Sequence, residues 1–571
     1  MLIEPLSSPG RALRSVWLSP ALVTLLLGLY RITTPELWRD EFSSWSAATR
    51  PLPQLFAMLG NVDASNGAYY LVLHAWTGVF GDSVLSLRLP SALAMAAAAA
   101  FTALAALRWF GSRVAAVAAG LLLADLPNVS AYAQEARSYA IVTCAVAAGT
   151  WCLLRALERP CPARWAWYAL CTALAGVFHL VSLSSLAGQC VVVALAVRSG
   201  RDTRALRWFP PAVLAALLPT VPVMLLGQRQ SGRQLEWIAV ATRYRLRTFW
   251  PELLGSSGVM CAFLLLAAAA LAWRGHRSAA VQAAAAAVLP VLGVWLVSQG
   301  RTSYFVDRYL LFTLPAWAAL AGGGVAAVRA AAQALGVRVA LWGTPALRED
   351  APLRGRKKQR ERPRANADAG SRNAPRTPEG AGRVTNSRRG AAAPFPAPSR
   401  TPARLRTAPG LAAAPALAVV AVVGLLGLPE QRAVRYVTAR TETDYRGAAR
   451  LVASGYRAGD GIVAVAGQKA WMMVGAGVAY HLPDGVRPRP LLIAETAARA
   501  EDLFPSECPV PVRCIGDVSR TWVVTIGTGD DPYQALPADQ AGALRAVFTP
   551  SEVRHVRGLT VSLLVRARGR A

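Results

Sequence analysis

Two short constellations in this chain combine residue types that can do chemistry: Arg39-Asp40-Glu41 and Gln134-Glu135-Ala136-Arg137-Ser138-Tyr139. A carboxylate such as Asp40 can accept a proton from a hydroxyl nucleophile. An arginine such as Arg137 can grip an anionic phosphate through its planar fork, and Glu135 can fix that arginine or bind a metal. His179, Arg88 and the run Asp307-Arg308-Tyr309 add a histidine, two more guanidinium groups and a phenol. Each has a structural alternative. Asp40-Glu41 reads equally as a solvated loop, Glu135 and Arg137 as an ion pair, His179 as a packed ring, and Arg88 as a side chain snorkelling to lipid headgroups. Asp40, Glu41 and Glu135 could share a divalent cation, although their spacing matches no dedicated site.

The elements that carry these residues are membrane spans. The chain has 571 residues, 54% hydrophobic and only 16% charged, and apolar runs recur at close to the roughly 20 residues needed to cross a bilayer. Spans are expected at about 15–33, 86–108, 112–130, 138–156, 165–181, 183–198, 208–226, 256–273, 279–298, 308–330 and 411–428, with boundaries good to about ±2 to 4 residues. The first resembles a signal peptide but runs on without a small-residue cleavage site, and so reads as an uncleaved span.

With the N-terminus inside, the short Arg-rich connections near residues 108–113, 155–164, 198–207 and 274–277 are all cytoplasmic, as the positive-inside rule requires. The candidate residues then converge on the opposite face: Asp40 after span one, Arg88 opening span two, Gln134 to Tyr139 between spans three and four, His179 ending span five and Arg308-Tyr309 opening span ten. Stretches at 53–58 and 69–80 are expected to lie as short helices in the interface plane. A cavity on this face would receive a lipid headgroup sideways from the bilayer.

The formal charge of +29 does not imply nucleic acid, because it is not gathered on a folded face. Residues 348–406 hold sixteen basic and five acidic residues among Pro, Ala and Gly. Such a segment cannot bury a core and reads as a disordered cytoplasmic loop. The chain thus divides into a transmembrane core (1–340), a basic loop (341–408), a last span (409–430) and an extracytoplasmic tail (431–571).

The tail reads as a small α/β domain, with helices at 444–454 and 538–548 and strands at 461–465 and 521–526. Asp444, Asp460, His481 and Asp484 read as surface and turn residues. Cys508 and Cys514 can form a disulfide if the tail is extracytoplasmic. The other six cysteines lie in or beside apolar spans and read as small hydrophobes. No nucleotide fingerprint or P-loop is present. The expected fold is a polytopic α-helical membrane protein of about eleven spans with a small C-terminal α/β domain.

Asp40-Glu41 after the first span, Tyr69-Tyr70 leading to Phe80-Gly81-Asp82-Ser83 and Leu87-Arg88-Leu89-Pro90-Ser91, then Ala133-Gln134-Glu135-Ala136-Arg137-Ser138-Tyr139-Ala140 and Asp307-Arg308-Tyr309-Leu310 make up an ordered motif set. The set resembles the GT-C glycosyltransferases that use polyprenyl-phosphate sugars, the group containing protein O-mannosyltransferases and the aminoarabinose transferases of lipid A. The resemblance implies a plasma-membrane enzyme that moves a mannose- or arabinose-type sugar from a polyprenyl-phosphate donor to a protein, lipid or polysaccharide acceptor, with inversion. It further implies that Asp40 activates the acceptor with Glu41 beside it, that Gln134, Glu135 and Arg137 line the donor pocket, and that Arg308 takes the carrier phosphate. Arg88, Tyr139, His179 and Tyr309 are further candidates for the binding surface. Two other readings stay open at this point: a transporter or flippase for lipid-linked sugars, since ionisable residues near membranes also mark transport paths, and a non-enzymatic envelope protein anchored by its spans.

Overall fold

The computed structural model describes residues 9–200, 203–342, 414–464 and 471–567; the basic segment at 348–406 lies outside them. Each expected span is helical where described. Among the described residues six helices are long and apolar enough to cross a membrane: Val84–Phe110, Tyr139–Glu158, Leu180–Arg198, Arg204–Gly232, Arg274–Val297 and Asp307–Leu335. Two bent pairs, Arg113–Asp125 with Pro127–Ala133 and Arg243–Leu254 with Ser257–Ala272, turn by 67° and 91° and raise the number to eight if each counts as one span.

This is fewer than the eleven read from the sequence, and the reason is length. Val16–Leu29 and Ala414–Leu426 are short apolar helices, and Pro162–Phe178 has 17 residues. At 1.5 Å per residue the 13 residues of Ala414–Leu426 reach only about 20 Å, against a hydrocarbon core of about 30 Å.

The Asp307–Leu335 span is the most enclosed, 89% buried over its apolar window. Its Gly322-Gly323-Gly324 run explains how it fits. A Cβ on Gly324 would stand 2.0 Å from the Leu266 carbonyl oxygen, and one on Gly322 2.4 Å from that of Ala115. Small residues let backbones approach this closely where lipid supplies no hydrophobic drive between helices.

Two short helices, Leu52–Asn61 and Gly67–Phe80, follow the Arg39–Ala48 helix in the first loop, where interfacial helices were expected. The tail folds around a five-stranded sheet of order β2-β1-β5-β7-β6, built from β1 (Gly461–Ala464), β2 (Arg489–Pro490), β5 (Arg520–Ile526), β6 (Phe548–Val556) and β7 (Leu559–Arg566). β3 (Ile493–Glu495) and β4 (Ser506–Glu507) form a separate antiparallel pair. β1 runs parallel to β2 and β5, and β7 antiparallel to β5 and β6.

Cys508 and Cys514 are bonded. Asp460, expected at the surface, is buried: it accepts from the Trp522 indole at 3.0 Å and pairs with Arg520 at 3.4 Å.

The tail packs onto the first-loop helices. Phe42 lies edge-on to Tyr445 at 5.0 Å, Trp45 edge-on to Tyr480 at 5.2 Å, and the Tyr480 hydroxyl donates to the Asp82 carbonyl at 2.9 Å. Between the last described span and the tail, Arg435 is buried and donates to the carbonyls of Leu27 at 2.8 Å and Tyr30 at 3.3 Å, and to Ser130 at 3.1 Å. The chain is thereby stitched back onto its first helix.

Candidate functional site

The Arg39–Ala48 helix opens with Trp38 in extended backbone and carries Asp40 and Glu41 in its first turn, where carboxylates suit the exposed N–H groups and the positive end of the helix dipole. Consecutive residues on a helix point about 100° apart, and these two carboxylates face different worlds. Glu41 points inward and is 0% exposed. Arg88, also 0% exposed, grips it in a bidentate pair at 2.8 and 2.7 Å. The same guanidinium donates to the carbonyls of Ile32, Pro35 and Glu36 at 2.7, 2.9 and 3.1 Å. The Ala136 N–H donates to Glu41 at 3.0 Å. Burial opposes ionisation of Glu41, but Arg88, helped by Arg440 and the Ala136 N–H, outweighs it and holds the carboxyl below its ordinary range.

Glu41 and Arg88 therefore form a clamp that joins the loop after the first helix to the turn carrying Arg137. Every N–H of the Arg88 head faces a protein acceptor, which leaves none for a substrate or a lipid headgroup in this arrangement.

Gln134 is likewise turned inward, donating to the carbonyls of Gly28 and Tyr30 at 3.0 and 2.8 Å. Glu135 is 1% exposed and pairs at 2.6 Å with Arg440, from the segment that leads into the tail; Arg440 also donates to the Ala131 carbonyl. Burial raises the Glu135 carboxyl, Arg440 opposes the rise, and Glu41 and Asp40 add to it. The Ser91 hydroxyl donates to the Glu135 carbonyl at 2.6 Å. These contacts place Gln134 and Glu135 in the wall behind the site, not on its lining. Arg440 is a site residue that the sequence did not single out.

The wall positions a half-buried cluster. Asp40, whose side chain is 20% exposed, stands 3.5 Å from Arg39 and 4.0 Å from Arg308. Arg308 lies over the faces of Trp237 at 5.1 Å, Trp38 at 5.6 Å and Tyr309 at 5.7 Å, a packing suited to a guanidinium near membrane lipid. Tyr309 meets His179 edge-on at 4.8 Å, and Tyr139 meets His179 at 5.8 Å and Tyr132 at 5.6 Å. Burial, reinforced by Arg137 and Arg308, draws His179 down to about 3, so the ring is neutral.

Arg137 donates to the Tyr70 hydroxyl oxygen at 3.3 Å, and the Tyr70 hydroxyl donates in turn to Asp63. Asp63, in the left-handed region at φ 60°, also accepts from Asn66 at 2.7 Å. Although burial works against it, the Tyr70 and Tyr139 phenols and the Asp40 and Asp63 carboxylates keep Arg137 charged.

The structure thus brings together Asp40, Arg137, Tyr139, His179, Arg308 and Tyr309 and holds Glu41, Arg88, Gln134 and Glu135 behind them. It adds Asp63, Tyr70, Trp38 and Trp237, of which only Tyr70 belonged to a motif recognised in the sequence. Arg137 Nε, Arg308 Nε and His179 Nε2 are enclosed and have no protein partner. Trp38 Nε1 beside them is likewise unpartnered, as are Gln134 Oε1, Glu135 Oε1 and Arg440 Nε in the wall; buried polar atoms are ordinarily satisfied, so these are free to meet a polar guest. Among the described residues no three His, Cys, Asp or Glu side chains converge on a metal position; Glu41 and Glu135, whose sharing of an ion with Asp40 the sequence left open, each face a guanidinium.

The family described as dolichyl-phosphate-mannose-protein mannosyltransferase matches residues 68–225. No curated protein matches the sequence. Among solved structures, ArnT from Cupriavidus metallidurans bound to undecaprenyl phosphate superposes with a TM-score of 0.55 at 13% identity, covering 99% of this chain and 99% of that one. The same protein in its apo state gives 0.56 at 14%, covering 97% and 98%. The likeness extends over the whole chain, and at this identity it is a likeness of fold: the GT-C fold that the motif set resembled.

Proposed function

We propose that this membrane protein of GT-C fold transfers a sugar from a polyprenyl-phosphate carrier to a cell-envelope acceptor, with Asp40 as the base. The observation that carries the reading is the pairing of a partly exposed carboxylate with two guanidinium groups whose Nε atoms are unpartnered: Asp40 lies 4.0 Å from Arg308, and Arg137 stands in the same cluster. Asp40 takes the proton of an acceptor hydroxyl as its oxygen attacks the anomeric carbon. The bond from that carbon to the phosphate oxygen breaks with its electron pair, and the leaving polyprenyl phosphate gathers charge between Arg137 and Arg308. Attack opposite the departing phosphate inverts the anomeric centre. His179, being neutral, adds no charge there and can donate to a sugar hydroxyl or accept from it. Tyr139 and Tyr309 offer faces for the ring.

The sugar is of mannose or arabinose type, and the acceptor is a protein, a lipid or a polysaccharide. With the Arg-rich connections on the cytoplasmic side, the cluster faces outward from the plasma membrane, where a lipid-linked donor serves without any nucleotide. No feature of the cluster favours the transporter reading. The test is transfer of radiolabelled sugar from a panel of polyprenyl-phosphate donors by membranes containing wild type or Asp40→Asn. Transfer by wild type and its loss, by at least about a hundredfold, in a variant that inserts and melts normally is the expected outcome. Undiminished transfer by the variant removes Asp40 from this role, and absence of transfer by wild type from every donor removes the reaction.

A further inference from the structure

The helices that present the site at one end converge at their other end on a second cavity, about 30 Å along the Val84–Phe110 helix if measured from Arg88 to Arg108. Two adjoining pockets of about 360 and 280 Å³ share Arg108 and Glu158 there. The larger has Trp109, Leu154 and His276 in its wall, and the smaller is lined by Arg155, Arg159 and Arg164 besides the shared pair. Four arginines thus face a single carboxylate.

Part of that charge is accounted for by the fold. Arg108 pairs with Glu158 at 2.6 Å. Arg164 donates to the carbonyls of Arg155 and Arg159 at 2.7 and 3.2 Å, satisfying groups that a helix end leaves open. Arg155 rests on the Trp151 ring at 4.6 Å, which orients its head but uses none of its N–H groups. The Arg159 guanidinium has no partner among the described residues. Glu158, the only carboxylate among the described residues that line the groove, is already engaged, so the guanidinium N–H groups of Arg155 and Arg159 remain for an anion from outside. The groove sits at the ends of the Val84–Phe110 and Tyr139–Glu158 helices, both long and apolar enough to cross a membrane, and the ends of such helices are where lipid headgroups meet the protein. Basic niches between helices at that depth favour acidic headgroups, and paired guanidinium forks suit phosphate oxygens.

We propose that this groove is a binding site for the phosphate headgroup of an anionic membrane phospholipid, held by Arg155 and Arg159, with Arg164 closing it. It is separate from the donor site: it lies at the opposite membrane face and shares no residue with the Asp40 cluster. A lipid seated there ties together the ends of the Val84–Phe110 and Tyr139–Glu158 helices, both of which position the catalytic turn at their far ends.

The test is thermal unfolding of the purified full chain in nanodiscs of phosphatidylcholine, with and without phosphatidylglycerol, and separately with inorganic phosphate. Wild type is expected to gain unfolding temperature with phosphatidylglycerol and not with inorganic phosphate. The double variant Arg155→Gln, Arg159→Gln is expected to unfold like wild type in phosphatidylcholine and to lose more than half of the phosphatidylglycerol gain. The control pair Arg198→Gln, Arg207→Gln is expected to keep it. Wild type indifferent to phosphatidylglycerol, or equal losses in both double variants, overturns the site in favour of diffuse attraction. An equal gain with inorganic phosphate overturns the lipid assignment. If the Arg155/Arg159 variant is unstable in phosphatidylcholine, native mass spectrometry of the wild type decides. A retained phosphatidylglycerol supports the site, and retention of phosphatidylcholine in equal measure refutes it.

Discussion

Replacing Arg88 by Met separates a clamp from a ligand-binding arginine. In the structure Arg88 is fully enclosed and makes five hydrogen bonds, two to Glu41 and three to the carbonyls of residues 32, 35 and 36. Methionine removes all five and leaves the Glu41 carboxylate buried with only the Ala136 N–H and the more distant Arg440 to offset its charge. Breaking a buried pair by deleting one partner costs about 3–5 kcal/mol. Against a typical stability of about 5–15 kcal/mol, that is a large share. Arg88→Met is therefore expected to lower the unfolding temperature strongly in a fixed lipid environment. The double variant Arg88→Met, Glu41→Leu is expected to recover part of the loss, because an apolar pair no longer leaves a buried charge unpaired; the three loop carbonyls keep it from recovering all.

The acid limb gives an independent check. The Glu41 carboxyl is held below its ordinary range, so its contribution is fully present above the unfolded value of about 4.3 and is lost as pH falls through the lower folded value. Glu41→Gln is expected to flatten stability against pH below about pH 4 and to leave the slope at neutral pH alone. Both are readable by thermal unfolding followed through tryptophan fluorescence. An Arg88→Met protein that melts like wild type but has lost binding of polyprenyl phosphate would refute the clamp and return Arg88 to the lipid site.

Arg137→Ala and Arg308→Ala are each expected to reduce transfer by about 10²–10³-fold, the usual cost of losing one group that stabilises developing charge, with weaker binding of polyprenyl phosphate in a direct binding assay and little change in acceptor KM. His179 is neutral when folded and titrates near 3, whereas unfolded histidine titrates near 6.5. Between those values the unfolded chain binds the extra proton, so stability should fall on acidification, by at most about 1.4 kcal/mol per pH unit, and His179→Phe should remove that slope. Gly324→Leu is expected to destabilise by about 1–3 kcal/mol or more, because even its Cβ meets the Leu266 carbonyl oxygen at 2.0 Å; an unchanged unfolding temperature would mean the two helices do not touch there.

The positions of the helices could be read from apolar runs because each run is local. Their number as spans could not, because bends such as that after Asp125 and the short Ala414–Leu426 helix depend on what packs beside them. The site was half legible. Charged residues at span ends were read onto one face, since bilayer energetics sort charge by position along the chain, and the fold gathers Asp40, Arg137, His179 and Arg308 into one cluster. Which of two neighbouring carboxylates faces the cavity is decided by a helix turn of about 100° and by where a guanidinium 47 residues away comes to lie. Asp40 and Glu41 are equivalent as sequence and opposite in the fold.

The same logic explains why the charged wall drew attention as though it were the lining. A buried guanidinium or carboxylate is tolerated only with a partner, so a cluster that gathers Arg137 and Arg308 beside Asp40 is best backed by pairs that fix the backbone without adding net charge. Glu41 with Arg88 and Glu135 with Arg440 do this. Both pairs are made of the residue types that chemistry uses, and only their exposure separates them from the reactive set. Arg440 carries the argument furthest, because it comes from beyond the last described span, 305 residues from its partner. Through it the link to the tail closes the wall behind Arg137, so the tail's attachment and the charge of the reactive cluster are not independent.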